Sequence, residues 1–125
     1  MKIAHTCLNV TNLDRSIEFY TKQMGLHFES RREIKQNNAE IAFLKDEAGG
    51  AIELTCWRDK KTLAEGDNLD HIAFDVEDVE GTVKRLRSQG VIIAMEPYSL
   101  QDSSTKLAFI KDPDGNWLEL IQAAR

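Results

Sequence analysis

Two histidines and two glutamates stand at one repeated spacing. His5 and His71 are 66 positions apart, and so are Glu53 and Glu119. Phe43 to Leu54 reads FLKDEAGGAIEL and Phe109 to Leu120 reads FIKDPDGNWLEL, with 6 of 12 positions identical at that offset. Each half of the chain therefore carries one imidazole and one carboxylate at equivalent places. Brought together, the four donors form a neutral set around a divalent ion. Octahedral geometry leaves two positions open, which suits nickel, cobalt, manganese or iron, with zinc as a further choice. Open neighbouring positions can hold two substrate oxygens, so the ion acts as a Lewis acid while a carboxylate serves as base on an adjacent carbon acid.

A single histidine on a strand ordinarily makes a structural hydrogen bond. The glutamates are harder to explain in that way. Ile52 and Leu54 flank Glu53, and Leu118 and Leu120 flank Glu119, so an ionised carboxylate there calls for a partner or a metal. The pattern occurs twice, each time 48 residues after a histidine. Duplication of a strand pattern without chemistry is the alternative. His27 has no histidine at its repeat equivalent and is expected in a surface or hydrogen-bonding role.

The elements that must position these donors are legible from periodicity. Leu13, Ile17, Tyr20 and Met24 recur at helical spacing, with Asn12 or Asp14 as N-cap and Gly25 as the stop. Val79, Val83 and Leu86 define the second helix, between Asp78 and Gly90. A short histidine strand precedes each helix, Ile3 to Val10 and Leu69 to Val76. Three strands follow each: His27 to Lys35, Ala39 to Lys45 and Ala51 to Trp57, then Val91 to Pro97, Thr105 to Lys111 and Trp117 to Ile121. KDEAGG and KDPDGN read as hairpin turns. The reading is an α+β chain of two βαβββ repeats, about 1–58 and 69–125, joined by a linker at 59–68 within one domain. Strand alternation puts His5, Cys7 and Asn9 on one face, and Glu53, Thr55 and Trp57 on one face. If the first and fourth strands of each repeat border a shared cleft, Cys7, Asn9, Thr55 and Trp57 line it beside the metal.

Composition narrows the function. Lys and Arg total 16 against 21 Asp and Glu, a net charge of −5, which argues against nucleic-acid binding. The longest apolar run, Val91 to Met95, is too short to span a membrane, and MKIAHT carries no signal-peptide core, so a cytoplasmic protein is expected. Cys7 and Cys56 are too few for a disulfide framework and are expected to be reduced and buried.

These residues match a family. HTCLNVTNLDRSIEFYTKQMGL, the block Ile52 to Thr55, the stretch His71 to Val76 with Asp78, and Asp112 to Leu120 resemble the vicinal-oxygen-chelate superfamily, and within it the bacterial lactoylglutathione lyase (glyoxalase I) family. The resemblance covers essentially the whole chain. It implies the glyoxalase/bleomycin-resistance/dioxygenase fold, with a curved, partly closed mixed sheet. It implies metal ligation by His5, Glu53, His71 and Glu119, nickel or cobalt as the favoured ion, and a homodimer with sites shared between chains. The implied activity is isomerisation of the hemithioacetal of methylglyoxal and a thiol through an enediolate. Epimerase, dioxygenase and thiol-transferase activities, or non-catalytic antibiotic binding, are the family's other outcomes. By the resemblance, and because Glu119 shares its face with Trp117, Ile121 and Ala123 while Glu53 shares its own with Thr55 and Trp57, Glu119 is the expected base and Glu53 the fixed ligand. Two departures concern the thiol. Glutathione-using members carry Arg where this chain has Asn9 and Asn where it has Trp57, and Pro97 to Thr105 holds no cation. Arg58, Lys106 or the Arg31–Arg32 pair are the substitutes at hand.

Overall fold

A computed structural model describes residues 3–64, 66, 70–100 and 104–122. Leu69, Ala123, positions 101–103 and part of the expected linker lie outside the described residues. The chain divides into two compact units, Met1–Glu65 and Gly66–Arg125. The first runs β1 (Thr6–Asn9), α1 (Leu13–Glu18), β2 (His27–Ile34), β3 (Ala39–Lys45) and β4 (Ala51–Trp57). The second runs β5 (Ile72–Asp75), α2 (Val79–Ser88), β6 (Ile92–Ser99), β7 (Lys106–Lys111) and β8 (Trp117–Gln122). Both are βαβββ units, as the repeat requires.

Each unit builds one four-stranded mixed sheet, ordered β1-β4-β3-β2 in the first and β5-β8-β7-β6 in the second. The first strand of each pairs in parallel with the fourth, and the registers repeat: Cys7 lies opposite Glu53, and Ala73 opposite Glu119. Neither sheet closes into a barrel. The strands bearing the histidines are shorter than the sequence suggests, because β1 pairs only with β4 and its ladder begins at Thr6 opposite Ile52. His5 therefore sits just before β1, and His71 just before β5.

One face of each sheet is covered by its own helix. In the first unit Leu8, Leu44, Ile52 and Leu54 are buried on that side, with Leu13 and Ser16 of α1. In the second, Ala108, Ile110, Leu118 and Leu120 meet Val79, Val83 and Leu86 of α2. Each large aliphatic side chain so buried contributes about 1.5–3 kcal/mol. Since side chains alternate, the residues between these leucines, Glu53 and Glu119, must occupy the opposite face.

The helix starts follow their caps. Asn12 Oδ1 accepts from the Arg15 amide at 3.0 Å, and Asp78 Oδ1 accepts from the Gly81 amide at 3.1 Å. Asn12, not Asp14, is thus the first cap. The first helix is not uniform: after Glu18 it widens into a π-helical segment, Phe19–Gln23, closed by Met24 N–H donating to the Phe19 carbonyl. The adjacent Phe19 and Tyr20 are both buried there and meet edge-on, with ring centroids 5.0 Å apart. The two hairpins are built alike. Asp46 Oδ1 accepts from the amides of Ala48 and Gly50, and Asp112 Oδ1 from those of Asp114 and Asn116. Gly49 (φ 94°) and Gly115 (φ 85°) take the left-handed position in the two turns.

Candidate metal centre

On the face away from the helix, each sheet carries one histidine against one glutamate. His5 Nε2 lies 2.9 Å from Glu53 Oε2, and His71 Nε2 lies 2.8 Å from Glu119 Oε2. Each imidazole packs edge-on against a phenylalanine, Phe43 for His5 (centroids 5.2 Å apart) and Phe109 for His71 (5.3 Å). Those phenylalanines face the glutamates across the ladder, Phe43 opposite Glu53 and Phe109 opposite Glu119. Ring and carboxylate are thus fixed by one cross-strand position in each unit. The phenylalanines head the two repeated twelve-residue blocks, and that placement was the available sequence signal for them.

The pairs differ in their outer partners. In the first unit the Thr55 hydroxyl donates to Glu53 Oε1 at 3.2 Å, and Cys7 Sγ lies 3.2 Å from the same hydroxyl. The second unit has Ala73 and Ile121 at those places, neither of which can hydrogen-bond through its side chain. In the second unit, instead, His71 Nδ1 is held by Asp70 Oδ1 at 2.7 Å. That hydrogen bond, together with Glu119, pushes the His71 pKa up against the opposing effect of burial. Ala4 occupies the place equivalent to Asp70. A carboxylate on the far nitrogen of a ligating histidine fixes its tautomer and strengthens it as a donor.

Burial separates the glutamates little: 18% of the Glu53 side chain and 13% of that of Glu119 are exposed. Their distinction lies in the Thr55 hydroxyl. Cys7 departs from the expectation of a buried cysteine. It lies on β1's outward face and is exposed as a residue, while Cys56 is half-buried. The Cys7 thiol is pushed up by partial desolvation, the Thr55 hydrogen bond acting against it and Glu53 reinforcing it. Asn9 and Trp57 join each other, the indole N–H donating to Asn9 Oδ1 at 2.9 Å.

Imidazole nitrogen and carboxylate oxygen are the donors a borderline divalent ion takes, and the two pairs fit that chemistry. Within neither unit do three or more His, Cys, Asp or Glu converge into a metal-holding group among the described residues. His27 is exposed, with Glu47 at 4.0 Å as its neighbour, as expected of a surface histidine.

The chain as a whole is similar to known proteins. The family model for the glyoxalase/bleomycin resistance protein/dioxygenase superfamily matches residues 2–120. The chain belongs to that superfamily. Within it, the chain is 40% identical to a probable lactoylglutathione lyase of Vibrio cholerae, over 97% of this chain and 90% of that one. It is 32% identical to a lactoylglutathione lyase of Neisseria meningitidis, over 98% and 91% of the two chains. The crystal structure of glyoxalase I from Zea mays superimposes with a TM-score of 0.88 at 31% identity, covering 99% of this chain and 45% of that longer one. A trypanothione-dependent glyoxalase I of Leishmania major superimposes with a TM-score of 0.83 at 30% identity, over 98% and 86% of the chains. The chain is thus a glyoxalase I-like member of the superfamily, whose members generally bind a divalent metal. No helix among its described residues is long and apolar enough to cross a membrane.

Proposed function

We propose that this protein is a metal-dependent lyase of the glyoxalase I type, isomerising the hemithioacetal of methylglyoxal and a thiol. The observation that carries the reading is the duplicated His–Glu pair, at 2.9 and 2.8 Å, on the face of each sheet away from its helix. One divalent ion, nickel or cobalt ahead of zinc, manganese or iron, would be held by His5, Glu53, His71 and Glu119. When bound, the ion supplies Lewis acidity to two neighbouring oxygens of the substrate. Glu119 removes the proton from the hemithioacetal carbon, leaving an enediolate, and the same carboxyl returns the proton to the adjacent carbon. Glu53 stays in place because Thr55 holds its second oxygen. Cys7, Thr55, Asn9 and Trp57 border the substrate on the first unit's side. Curated relatives named lactoylglutathione lyase support this chemistry over epimerase, dioxygenase, thiol transferase or antibiotic binding.

As the family resemblance implies, we propose a homodimer in which the sites are shared between chains, acting in the cytoplasm on a small molecule. The test is metal analysis and turnover of methylglyoxal with thiols, alongside His5→Ala and His71→Ala. Each variant should lose both bound metal and activity. Full metal content in both would overturn the ligand assignment. Light scattering on the active, metal-loaded protein should give the mass of two chains; a monomer that turns over would refute shared sites.

A further inference from the structure

Six arginines stand among the described residues, and five of them are engaged. Arg31 is held most completely. Its Nε and Nη2 each donate to a Glu40 oxygen at 2.9 Å, and its Nη1 is bound by Asp14. Arg58 pairs with Glu33 at 3.3 Å, and Arg87 is bound by Glu96. Arg15 Nη2 donates to Thr11 at 3.1 Å, and Arg85 Nη1 donates to Gln89 at 3.2 Å. Arg32 is exposed and makes no hydrogen bond or ion pair among the described residues. It follows Arg31 on β2, and strand alternation sends the two guanidinium groups to opposite faces.

Arg32 shares the face of the first metal pair. It lies opposite Ile41, and Ile41 opposite Thr55, whose hydroxyl donates to Glu53. At about 4.8 Å between strands, its backbone lies about 10 Å from that of Thr55. Glu53 and Lys45 also carry charge on this face, but both are partnered, Glu53 by His5 and Thr55 and Lys45 by Glu29 at 2.8 Å.

An α-dicarbonyl reacts with a guanidine because two nitrogens on one carbon can meet two adjacent carbonyl carbons. Two N–C bonds form, the two displaced N–H protons pass to the carbonyl oxygens, and a five-membered ring closes. Loss of one water then gives a hydroimidazolone, with no oxidant or reductant required. Lysine has one nitrogen and cannot close that ring, and a thiol such as Cys7 adds to one carbonyl reversibly. Attack needs the neutral guanidine with its nitrogens free, so a carboxylate partner protects in two ways. It occupies the nitrogens and it favours the cation, as Glu40 and Asp14 do in pushing the Arg31 pKa up.

We infer that Arg32 is a covalent modification site for free methylglyoxal, reacting ahead of the other described arginines. The inference rests on the lyase reading, which brings that dicarbonyl to this face. The ring formed holds no proton at neutral pH, so modification removes a cation from beside the metal pair.

The experiment exposes the purified protein briefly to limiting methylglyoxal without thiol and maps adducts on its peptides by mass spectrometry. The adduct is one methylglyoxal, or one methylglyoxal less water, per arginine. Arg32 should label first. Arg31, its neighbour in sequence, should label roughly 10- to 100-fold more slowly, the range of charge-assisted hydrogen bonds. Arg58 and Arg87 should be roughly two- to fivefold slower than Arg32, the range of an exposed ion pair. Diacetyl, a second α-dicarbonyl, should reproduce the order. Arg32→Lys should abolish the early adduct. Glu96→Gln, which frees Arg87, should speed Arg87 labelling roughly two- to fivefold and leave Arg32 unchanged. Labelling of Arg31, Arg58 or Arg87 as fast as Arg32 overturns the assignment. So does a Glu96→Gln that leaves Arg87 unaltered, since pairing would then protect nothing. Turnover of methylglyoxal with thiols is measured on the same preparation. If there is none, the lyase reading fails, while labelling that begins at Arg32 still upholds the modification site and labelling without that preference removes it.

Discussion

Replacing Thr55 by valine removes one hydroxyl and almost no volume, and it should expose how the two glutamates are told apart. The hydroxyl donates to Glu53 Oε1 at 3.2 Å, and the carboxylate is largely covered. A hydrogen bond to a charged group contributes about 1.5–3 kcal/mol, and 3.2 Å is long for an O–H donor, so about 1–2 kcal/mol is reasonable here. At 1.4 kcal/mol per tenfold, metal affinity should fall roughly 5- to 30-fold. Titrating metal-free protein with cobalt by calorimetry measures that loss. Cys7 provides a second reading of the same change. The Thr55 hydrogen bond lowers its thiol pKa against desolvation and Glu53, so the variant should carry less thiolate at neutral pH. Alkylation by iodoacetamide in a Cys56→Ala background should slow accordingly. The converse change, Ile121→Thr, places a hydroxyl at the equivalent position beside Glu119. It should hold that carboxylate to the metal, raising cobalt affinity while lowering kcat. Unaltered cobalt binding and alkylation in Thr55→Val would show that the hydroxyl anchors nothing. The basis for separating the two glutamates would then be gone.

With activity normalised to bound metal, Glu119→Gln should retain more metal than activity, while Glu53→Gln should keep some turnover wherever metal remains; the reverse ranking would make Glu53 the base. His71 in the metal-free protein should titrate above its ordinary value near 6.5, and Asp70→Asn should bring it back down, read by NMR of the ring protons. Because the folded pKa is the raised one, the stability from this group is fully present below about 6.5 and is lost as pH rises through the folded value. Metal affinity should rise across that same window as the competing proton leaves, and a pH-independent affinity would contradict this.

The linear sequence holds the repeat, and the repeat determines a great deal. An offset of 66 residues carries the His–Glu pairs, the turn aspartates and the positive-φ hairpin glycines, Gly49 and Gly115, together. Equal spacing gives equal strand register, so both sheets share one topology. Alternation then turns Glu53 and Glu119 away from the leucines on either side, because period two is a property of any strand. The bounds of β3 and β4 and the choice of faces follow from such local rules. Other features depend on which strand lies beside which. That Phe43 supports His5, that Cys7 meets the Thr55 hydroxyl, and that Asp14 and Glu40 claim Arg31 all come from cross-strand or helix-to-sheet neighbours. Arg31 and Arg32 are adjacent in sequence and equal in charge, yet alternation sends them to opposite faces, where Asp14 and Glu40 bind Arg31 and no ion pair is seen for Arg32 among the described residues. The π-helical segment after Glu18, where Phe19 and Tyr20 are both buried, is likewise a feature that helical periodicity does not register. Donor identity and parity are one-dimensional and can be read along the chain; partnership is set by register and packing, and only the folded sheet decides it.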